Sequence, residues 1–150
     1  MRLLWRIEHG LQSTSKRMES TLGVTGPQRL VLKIVDSHPD LTARDLSRIV
    51  RLHPSTLTGI LARLEVKGLI GRVRDLDDSR RIRLRVRPAA RKFTRRSGGT
   101  IESAIQGALR RLPPAKVRAS REVLAAVAEA LEETSSLPGT DEEEAAAISR

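Results

Sequence analysis

The sequence contains no cysteine and almost no aromatic side chains. Its 150 residues include one Trp, one Phe and no Tyr. The lack of cysteine excludes disulfides, thiolate metal sites and thiol-based redox sensing. The lack of aromatic rings argues against single-stranded nucleic-acid binding by base stacking and against aromatic-caged ligand sites.

Histidine clusters and long apolar segments are also missing. The three histidines (His9, His38 and His53) have no spacing that places two ligands on one helix face. We therefore predict no metal and no cofactor, and we disfavour the alternative of a zinc site assembled from distant segments. No segment approaches the ~20 apolar residues that span a bilayer, and Arg2 and Arg6 make the start unlike a signal peptide. We expect a cytoplasmic protein without a membrane partner.

Catalytic motifs are absent as well. The sequence shows no Ser-His-Asp arrangement, no metal cluster and no glycine-rich phosphate loop, since Gly98-Gly99 lacks a preceding strand and a following helix. Catalytic sites need convergent polar groups. We therefore expect that the protein is not an enzyme.

Positive charge is what the sequence has in excess. The formal net charge is +10, and hydrophobic residues make up 39%, enough for a folded core. From Arg63 to Arg96 there are thirteen basic and four acidic residues, whereas the chain from Glu129 onward has seven acidic residues and one basic residue. A dense basic stretch repels itself unless a polyanion offsets it. The alternative is an ordinary solvated surface that is rich in arginine. Binding to a polyanion is favoured only if the basic residues lie on a structure that fits a nucleic acid.

Apolar spacing and capping signals predict the helices. A helical stripe covers residues 2–22. The pairs Thr25–Gln28 and Thr42–Asp45 have capping-box spacing, and they begin helices that end at His38–Pro39 and near Val50.

A further helix begins at Pro54, only three residues after the third one ends. It ends at Gly68. The apolar residues of this helix fall on one face, at Leu57, Ile60, Leu61 and Leu64. Two short helices joined by a three-residue turn form a helix-turn-helix.

After this helix, the apolar residues change from helical spacing to strict alternation with polar residues. Ile82–Arg87 alternates apolar and basic residues, and Leu69–Arg74 can pair with it across the polar loop Asp75–Arg81. A β-hairpin directly after a helix-turn-helix defines a winged helix. We expect four arginines on the solvent face of the hairpin, namely Arg72, Arg74, Arg83 and Arg85.

The remainder of the chain is predicted to be helical up to an acidic tail. Pro88–Ala90 opens a long helix that reaches Leu109 and is weakened by Gly98-Gly99; after Pro113-Pro114 a last helix runs to about Glu133. The fold class is mainly α with a small β-hairpin. We divide the chain into an N-terminal dimerisation helix (1–24), a winged helix-turn-helix (25–88), C-terminal dimerisation helices (89–134) and an acidic, disordered tail (135–150).

Outward positions of the helix that begins at Pro54 carry small or polar side chains. They are Ser55, Thr56, Thr58, Gly59 and Ala62, followed by Arg63. A helix that lies in the major groove of double-stranded DNA needs such residues, because short hydroxyls reach base edges and bulky groups would hold the helix away. The alternative is an ordinary surface helix, which usually carries Glu–Lys pairs.

His53 is expected to be an exposed turn residue, since histidine is a poor N-cap.

The hairpin supplies the second set of predicted DNA contacts. Arg80 and Arg81 lie at its tip, where they suit the negative potential of a narrow minor groove, and Asp78 can orient Arg80. We expect Arg72 and Arg74 to reach phosphates.

The terminal helices leave apolar stripes that a second copy would cover, giving a twofold dimer with recognition helices ~34–36 Å apart.

Three stretches of this sequence resemble the MarR-type bacterial transcriptional regulators. They are Val24–Gln28, Pro54–Ile70 with its Arg-Leu-Glu-x-Lys-Gly-Leu-Ile ending, and Arg74–Arg81 with its Asp-x-Arg wing signature. The resemblance implies a homodimer that binds a palindromic operator, usually as a repressor. It also implies that many relatives release DNA when a small lipophilic ligand binds between the dimer helices and the wing domain.

The resemblance assigns DNA contacts to positions already named. These are Ser55, Thr56, Thr58 and Arg63 in the recognition helix, and Arg80 with Asp78 in the wing. Ligands of this family are often phenolic, and the scarcity of aromatic side chains gives no support for a pocket that binds a phenol. The ligand-binding residues therefore stay unknown. A winged helix used only to dock proteins is the alternative function, although such a surface should carry apolar or mixed groups rather than arginines.

Overall fold

The computed structural model describes residues 1–74 and 81–136, in two compact units. The first unit is Met1–Ile105 and the second comprises the described residues from Gln106 onward. The elements are α1 (Arg2–Leu22), α2 (Gly26–Ser37), α3 (Ala43–Val50), α4 (Pro54–Val66), β1 (Ile70–Arg74), β2 (Ile82–Val86), α5 (Arg91–Arg95), α6 (Ile101–Leu109) and α7 (Pro114–Ser136), with a 3₁₀ turn at Pro88–Ala90. The mainly helical fold class with one hairpin is confirmed. The predicted tail beyond residue 136 lies outside the described residues.

Two capping boxes begin α2 and α3, as the sequence predicts. The Thr25 hydroxyl accepts from the Gln28 amide while the Gln28 side chain accepts from the Thr25 amide. Thr42 and Asp45 make the same reciprocal pair. Hydrogen bonds from the Thr42 hydroxyl and then from its backbone amide hold the pKa of Asp45 below its ordinary value. Both helices therefore begin with satisfied backbone amides.

The core of the first unit lies between α2, α3, α4 and the hairpin. Leu32, Leu46, Leu64 and Leu84 come from these four elements and are fully buried in one cluster. The amide of Leu84 donates to the carbonyl of Leu41, and Thr42 bridges Arg83, so β2 is also fastened to the start of α3. This packing fixes the hairpin beside the helix-turn-helix.

The hairpin does not place its four arginines on one face, and that prediction is wrong. The strands are antiparallel, with Arg72 opposite Leu84 and Arg74 opposite Ile82. Directly opposed residues share a face of a sheet, so these two arginines lie on the side of the apolar residues of β2, while Arg83 lies opposite Val73 on the other side. Leu84 is buried but Ile82 remains 44% exposed, because the hairpin projects beyond the core.

The long helix predicted after Pro88 is also wrong, since the chain bends between α5 and α6. Gly99 has φ of 71°, which favours glycine, and Arg96 is extended. The Thr100 hydroxyl then accepts from the Ser103 amide while the Ser103 hydroxyl accepts from the Thr100 amide, and this reciprocal pair starts α6. The glycine pair therefore ends one helix and allows another to begin.

A buried ion pair joins α2 to the start of α6. Arg29 is 2% exposed, its Nε lies 3.2 Å from Oε1 of Glu102, and its Nη2 donates to the Arg96 carbonyl at 2.6 Å. Burial alone would raise the pKa of Glu102, but its own backbone amide, the Arg29 charge and Thr100 outweigh burial and lower it. Arg29 thus satisfies the Arg96 carbonyl at the bend and, after the backbone amide of Glu102, helps to lower the pKa of that carboxyl.

Replacing Glu102 should destabilise the fold, because it leaves the buried Arg29 charge without its partner. We expect Glu102→Gln to lower the free energy of unfolding by about 3 kcal/mol, near the bottom of the range for broken buried pairs, since the Glu102 side chain is 26% exposed. Urea denaturation at pH 7 measures this loss. The exposed Glu122→Gln on α7 is the control, and equal stability of the two variants would contradict the prediction.

The same variant should show a defined pH dependence. A carboxyl whose pKa is lowered on folding stabilises the protein above its ordinary pKa, and this stabilisation is lost as the pH falls through the lowered pKa. We therefore expect the stability difference between wild type and Glu102→Gln to be full above pH 4.5 and to shrink in more acidic solution.

Candidate nucleic-acid interface

The orientation of α4 is set by its apolar side. Leu57, Leu61 and Leu64 are buried in the core. Ser55, Thr56, Thr58 and Arg63 are exposed on the other side, and Gly59 is partly exposed. Every predicted contact residue of this helix therefore faces away from the core, as groove insertion requires.

His53 caps α4, contrary to the expectation of a simple turn residue. Its Nδ1 accepts from the Ser55 amide at 3.4 Å and lies 2.7 Å from the Ser55 hydroxyl. Because the backbone amide can only donate, Nδ1 is an acceptor and the Ser55 hydroxyl also donates to it. The Ser55 oxygen consequently presents only its acceptor lone pairs to a neighbouring molecule.

The hydroxyl of Thr58 is turned back onto the helix. It donates to the carbonyl of Pro54 at 2.8 Å, which is a common arrangement for threonine inside a helix. The hydroxyl proton of Thr58 is therefore engaged within the helix, which turns the methyl of Thr58 outward and leaves its oxygen, like that of Ser55, able only to accept a hydrogen bond.

Internal carboxylates hold several arginines of the hairpin. Arg72 lies 2.6 Å from Glu65 at the end of α4. Arg83 and Arg85 both contact Asp40, at 2.9 and 3.0 Å. The pair with Glu65 orients Arg72 beside the recognition helix while lowering the net charge there.

Arg74 and Arg81 are the exposed basic residues nearest the ends of the two strands. The positive charge of Arg81 also helps to lower the pKa of Asp45, after the hydrogen bonds from Thr42, so Arg81 lies on the same side of the unit as the start of α3. Asp78 and Arg80 lie outside the described residues. The structure therefore places α4 and the base of the wing but does not test the wing tip.

Asp40 and Lys67 hold neighbouring elements in place, and neither residue was predicted to have a role. Asp40 holds two arginines of β2, and no local signal identifies it because its partner Arg85 is 45 residues away. Lys67 donates to the Gly23 carbonyl at 2.7 Å and to the Gln28 side chain at 3.1 Å. It therefore fastens the end of α4 to the junction of α1 and α2.

A cavity of about 660 Å³ lies in the first unit between α1, α2 and the start of α6. Its walls are mainly apolar, with Leu11, Leu30 and Ile101 among them, and Glu102 reaches its edge. Gly26 forms part of the wall, where an added Cβ would lie 2.5 Å from the Ile101 side chain. None of the described residues that line the cavity is aromatic.

The described residues contain neither a membrane-spanning helix nor a cluster of metal ligands. No helix within residues 1–74 and 81–136 has the length and apolarity needed to cross a bilayer. The described part of the chain also contains no group of three or more His, Cys, Asp or Glu that could hold a metal ion.

Comparison with known proteins identifies the family. The model of the MarR family matches residues 24–82. The PcaV transcriptional regulator of Streptomyces coelicolor, solved in complex with its natural ligand, is 30% identical with a TM-score of 0.71, and the match covers 86% of this chain and 91% of that one. The chain belongs to the MarR family.

Two further relatives of this MarR-family chain are named as regulators of transcription. An HTH-type transcriptional repressor of Mycobacterium tuberculosis is 24% identical over 122 residues, which is 81% of this chain and 88% of that protein. The organic hydroperoxide resistance transcriptional regulator of Bacillus subtilis is 32% identical over 80 residues, 53% of this chain. The chain spans 54% of the length of that Bacillus relative. The resemblance drawn from sequence motifs is thereby confirmed.

The cap on the recognition helix of this MarR-family chain can be tested by mutation. His53→Ala removes the acceptor for the Ser55 amide, and we expect a loss of about 1 kcal/mol in the free energy of unfolding. His53→Asn restores an N-cap acceptor and should retain most of the stability. Thermal unfolding compares the three proteins. If His53→Ala unfolded at the same temperature as the wild type, the hydrogen bond to Ser55 would not contribute to folding stability.

Proposed function

We propose that this chain is a homodimeric repressor of transcription, without catalytic activity, that binds palindromic double-stranded DNA. The observation that carries the proposal is the outward face of α4, where small polar residues and Arg63 stand opposite an apolar face fixed in the core. A DNA-binding regulator works beside the chromosome, and we accordingly propose the cytoplasm of a bacterial cell. Membership of a family of transcriptional regulators supports the proposal.

In this proposal α4 enters the major groove. The groove is about 12 Å wide and admits one helix. Ser55 and Thr56 lie in the first turn of the helix, so their hydroxyls are placed to contact base edges or phosphates. Arg63, two turns further on, can donate to guanine or to a phosphate.

The hairpin acts as a wing along the DNA backbone. We propose phosphate contacts for Arg74 and for Arg72, the latter held in position by Glu65 at 2.6 Å. Arg80, Arg81 and Asp78 are proposed to serve the minor groove, because a narrow groove concentrates negative potential that attracts arginine.

Exposed apolar side chains on the terminal helices support the homodimer. On α1, Leu3 is 69% exposed and Ile7, one turn further on, is 53% exposed, and on α7 Val123 is 62% exposed. A second copy would cover both faces and set two recognition helices one DNA turn apart. We propose that residues 1–24 and 89–134 supply the dimer contacts and that residues 25–88 bind DNA.

Repression follows from occupancy of promoter DNA, and the cavity supports control by a small ligand. The Mycobacterium tuberculosis relative is a repressor and PcaV is solved with a natural ligand. The cavity beside Leu30 is large enough for a drug-sized molecule. Its apolar walls favour a lipophilic effector, whose binding would release the DNA.

Salt-dependent binding tests the proposed function. Duplexes selected from a random pool by the wild-type protein should contain a palindrome, and log affinity should fall by about 0.9 per neutralised phosphate as log salt concentration rises. Fluorescence anisotropy measures the slope. Failure to select any duplex, or a complex insensitive to salt, would instead favour a protein-docking winged helix.

Arg63 is the sharpest single test of the recognition helix. Arg63→Ala removes a donor to the groove, and we expect a loss of about 5- to 150-fold in affinity for the selected duplex, since one specific contact contributes about 1–3 kcal/mol. Arg118→Ala on α7 removes an exposed arginine outside the winged helix and is the control. Wild-type affinity in Arg63→Ala would remove Arg63 from the interface.

Dimerisation can be separated from folding. Leu124→Glu places a charge on the apolar face of α7, where Leu124 is 55% exposed in the single chain. We expect a folded monomer with weak DNA binding, because only one recognition helix then engages a half-site. Sedimentation equilibrium and circular dichroism give mass and helicity. A dimer that persists in this variant would exclude this face from the interface.

A further inference from the structure

Gly59 leaves a notch in the outward face of α4. It lies in the interior of the helix Pro54–Val66, and a Cβ built on it meets no heavy atom within 4 Å. Alanine is the better helix former at such a position. Packing within the described chain therefore does not require glycine here, and the space it leaves opens toward whatever α4 faces.

Methyl groups form the rim of the notch. Thr58 directs its hydroxyl to the Pro54 carbonyl at 2.8 Å, which leaves its methyl outward. Ala62 is exposed three residues after Gly59 and therefore neighbours it on the helix surface. The notch is thus an apolar depression about the size of the missing side chain.

Polar groups bound the depression one turn away on either side. Ser55 precedes Gly59 by four residues and Arg63 follows it by four, so all three lie along one line of the helix. The Ser55 hydroxyl is held by His53 at 2.7 Å and offers an acceptor outward. A molecule seated in the notch therefore meets methyl groups in the centre, an acceptor at one end and a cation at the other.

We propose that the Gly59 notch receives the C5-methyl group of a thymine in the major groove and so selects a T·A pair at one position of each half-site. This inference rests on the proposed function, because it assumes that α4 enters the groove. Among the groups that base pairs present there, the thymine methyl is the apolar one. A methyl on the DNA fills the space that an alanine Cβ would otherwise occupy, and it contacts the methyls of Thr58 and Ala62.

Uracil substitution tests the notch without altering hydrogen bonding. The duplex selected by the wild-type protein is resynthesised with each thymine replaced in turn by deoxyuridine, which lacks only the methyl. We expect one position per half-site at which the wild type loses about fourfold in affinity, the value for one buried methyl group. In Gly59→Ala the same replacement should have no effect, because the Cβ already fills the notch.

A helix-stabilising substitution away from the notch supplies the control. Ser37 is exposed at the end of α2, where alanine is also the better helix former. Gly59→Ala and Ser37→Ala should both melt at a higher temperature than the wild type, but only Gly59→Ala should change the uracil profile. Retention of the wild-type profile in Gly59→Ala, or a wild type indifferent to every uracil, would overturn the proposal. Salt-dependent binding of the selected duplex would then still support the proposed function.

Discussion

Burial of one apolar face of α4 is the constraint on which the interface depends. Leu57, Leu61 and Leu64 are held in a core formed with α2, α3 and the hairpin. Once these side chains are fixed, the helical period leaves small or polar residues, one arginine and, in the last turn, the exposed Val66 on the outer face. A rotation of the helix would bury hydroxyls and expose leucines, which costs burial energy of about 1.5–3 kcal/mol for each leucine. The core therefore determines which groups can reach a groove.

Carboxylates reshape the charge that the sequence presents. The stretch Arg63–Arg96 is strongly basic, yet Arg72 forms an ion pair with Glu65, and two arginines of β2 form ion pairs with Asp40. Fixed partners reduce the side-chain freedom that an arginine must lose on binding, and they also reduce the net positive potential. The number of arginines therefore overstates the positive charge that is available to a phosphate. The position of each arginine on the hairpin determines whether an internal carboxylate already neutralises it.

Local signals predicted the helix boundaries, and long-range contacts explain the failures. The boxes at Thr25 and Thr42 lie within four residues of their partners, so the sequence alone revealed them. The face of Arg72 depends on cross-strand register, which the loop between the strands determines. The bend before α6 carried a readable signal, Gly99 followed by Thr100 and Ser103, but the ion pair that supports it joins Arg29 to a residue 73 positions away. Asp40 was missed for the same reason.

Within the winged helix, α4 is the helix whose local sequence favours helix formation least. The helices α2 and α3 begin with complete capping boxes, whereas α4 begins with His53 and contains an interior glycine. Histidine and glycine at these positions both lower helix stability relative to better choices. Departures from local rules tend to occur where function restricts the choice of residue. The stability of α4 therefore comes mainly from its buried leucines, and its outer face is left to meet the requirements of a groove.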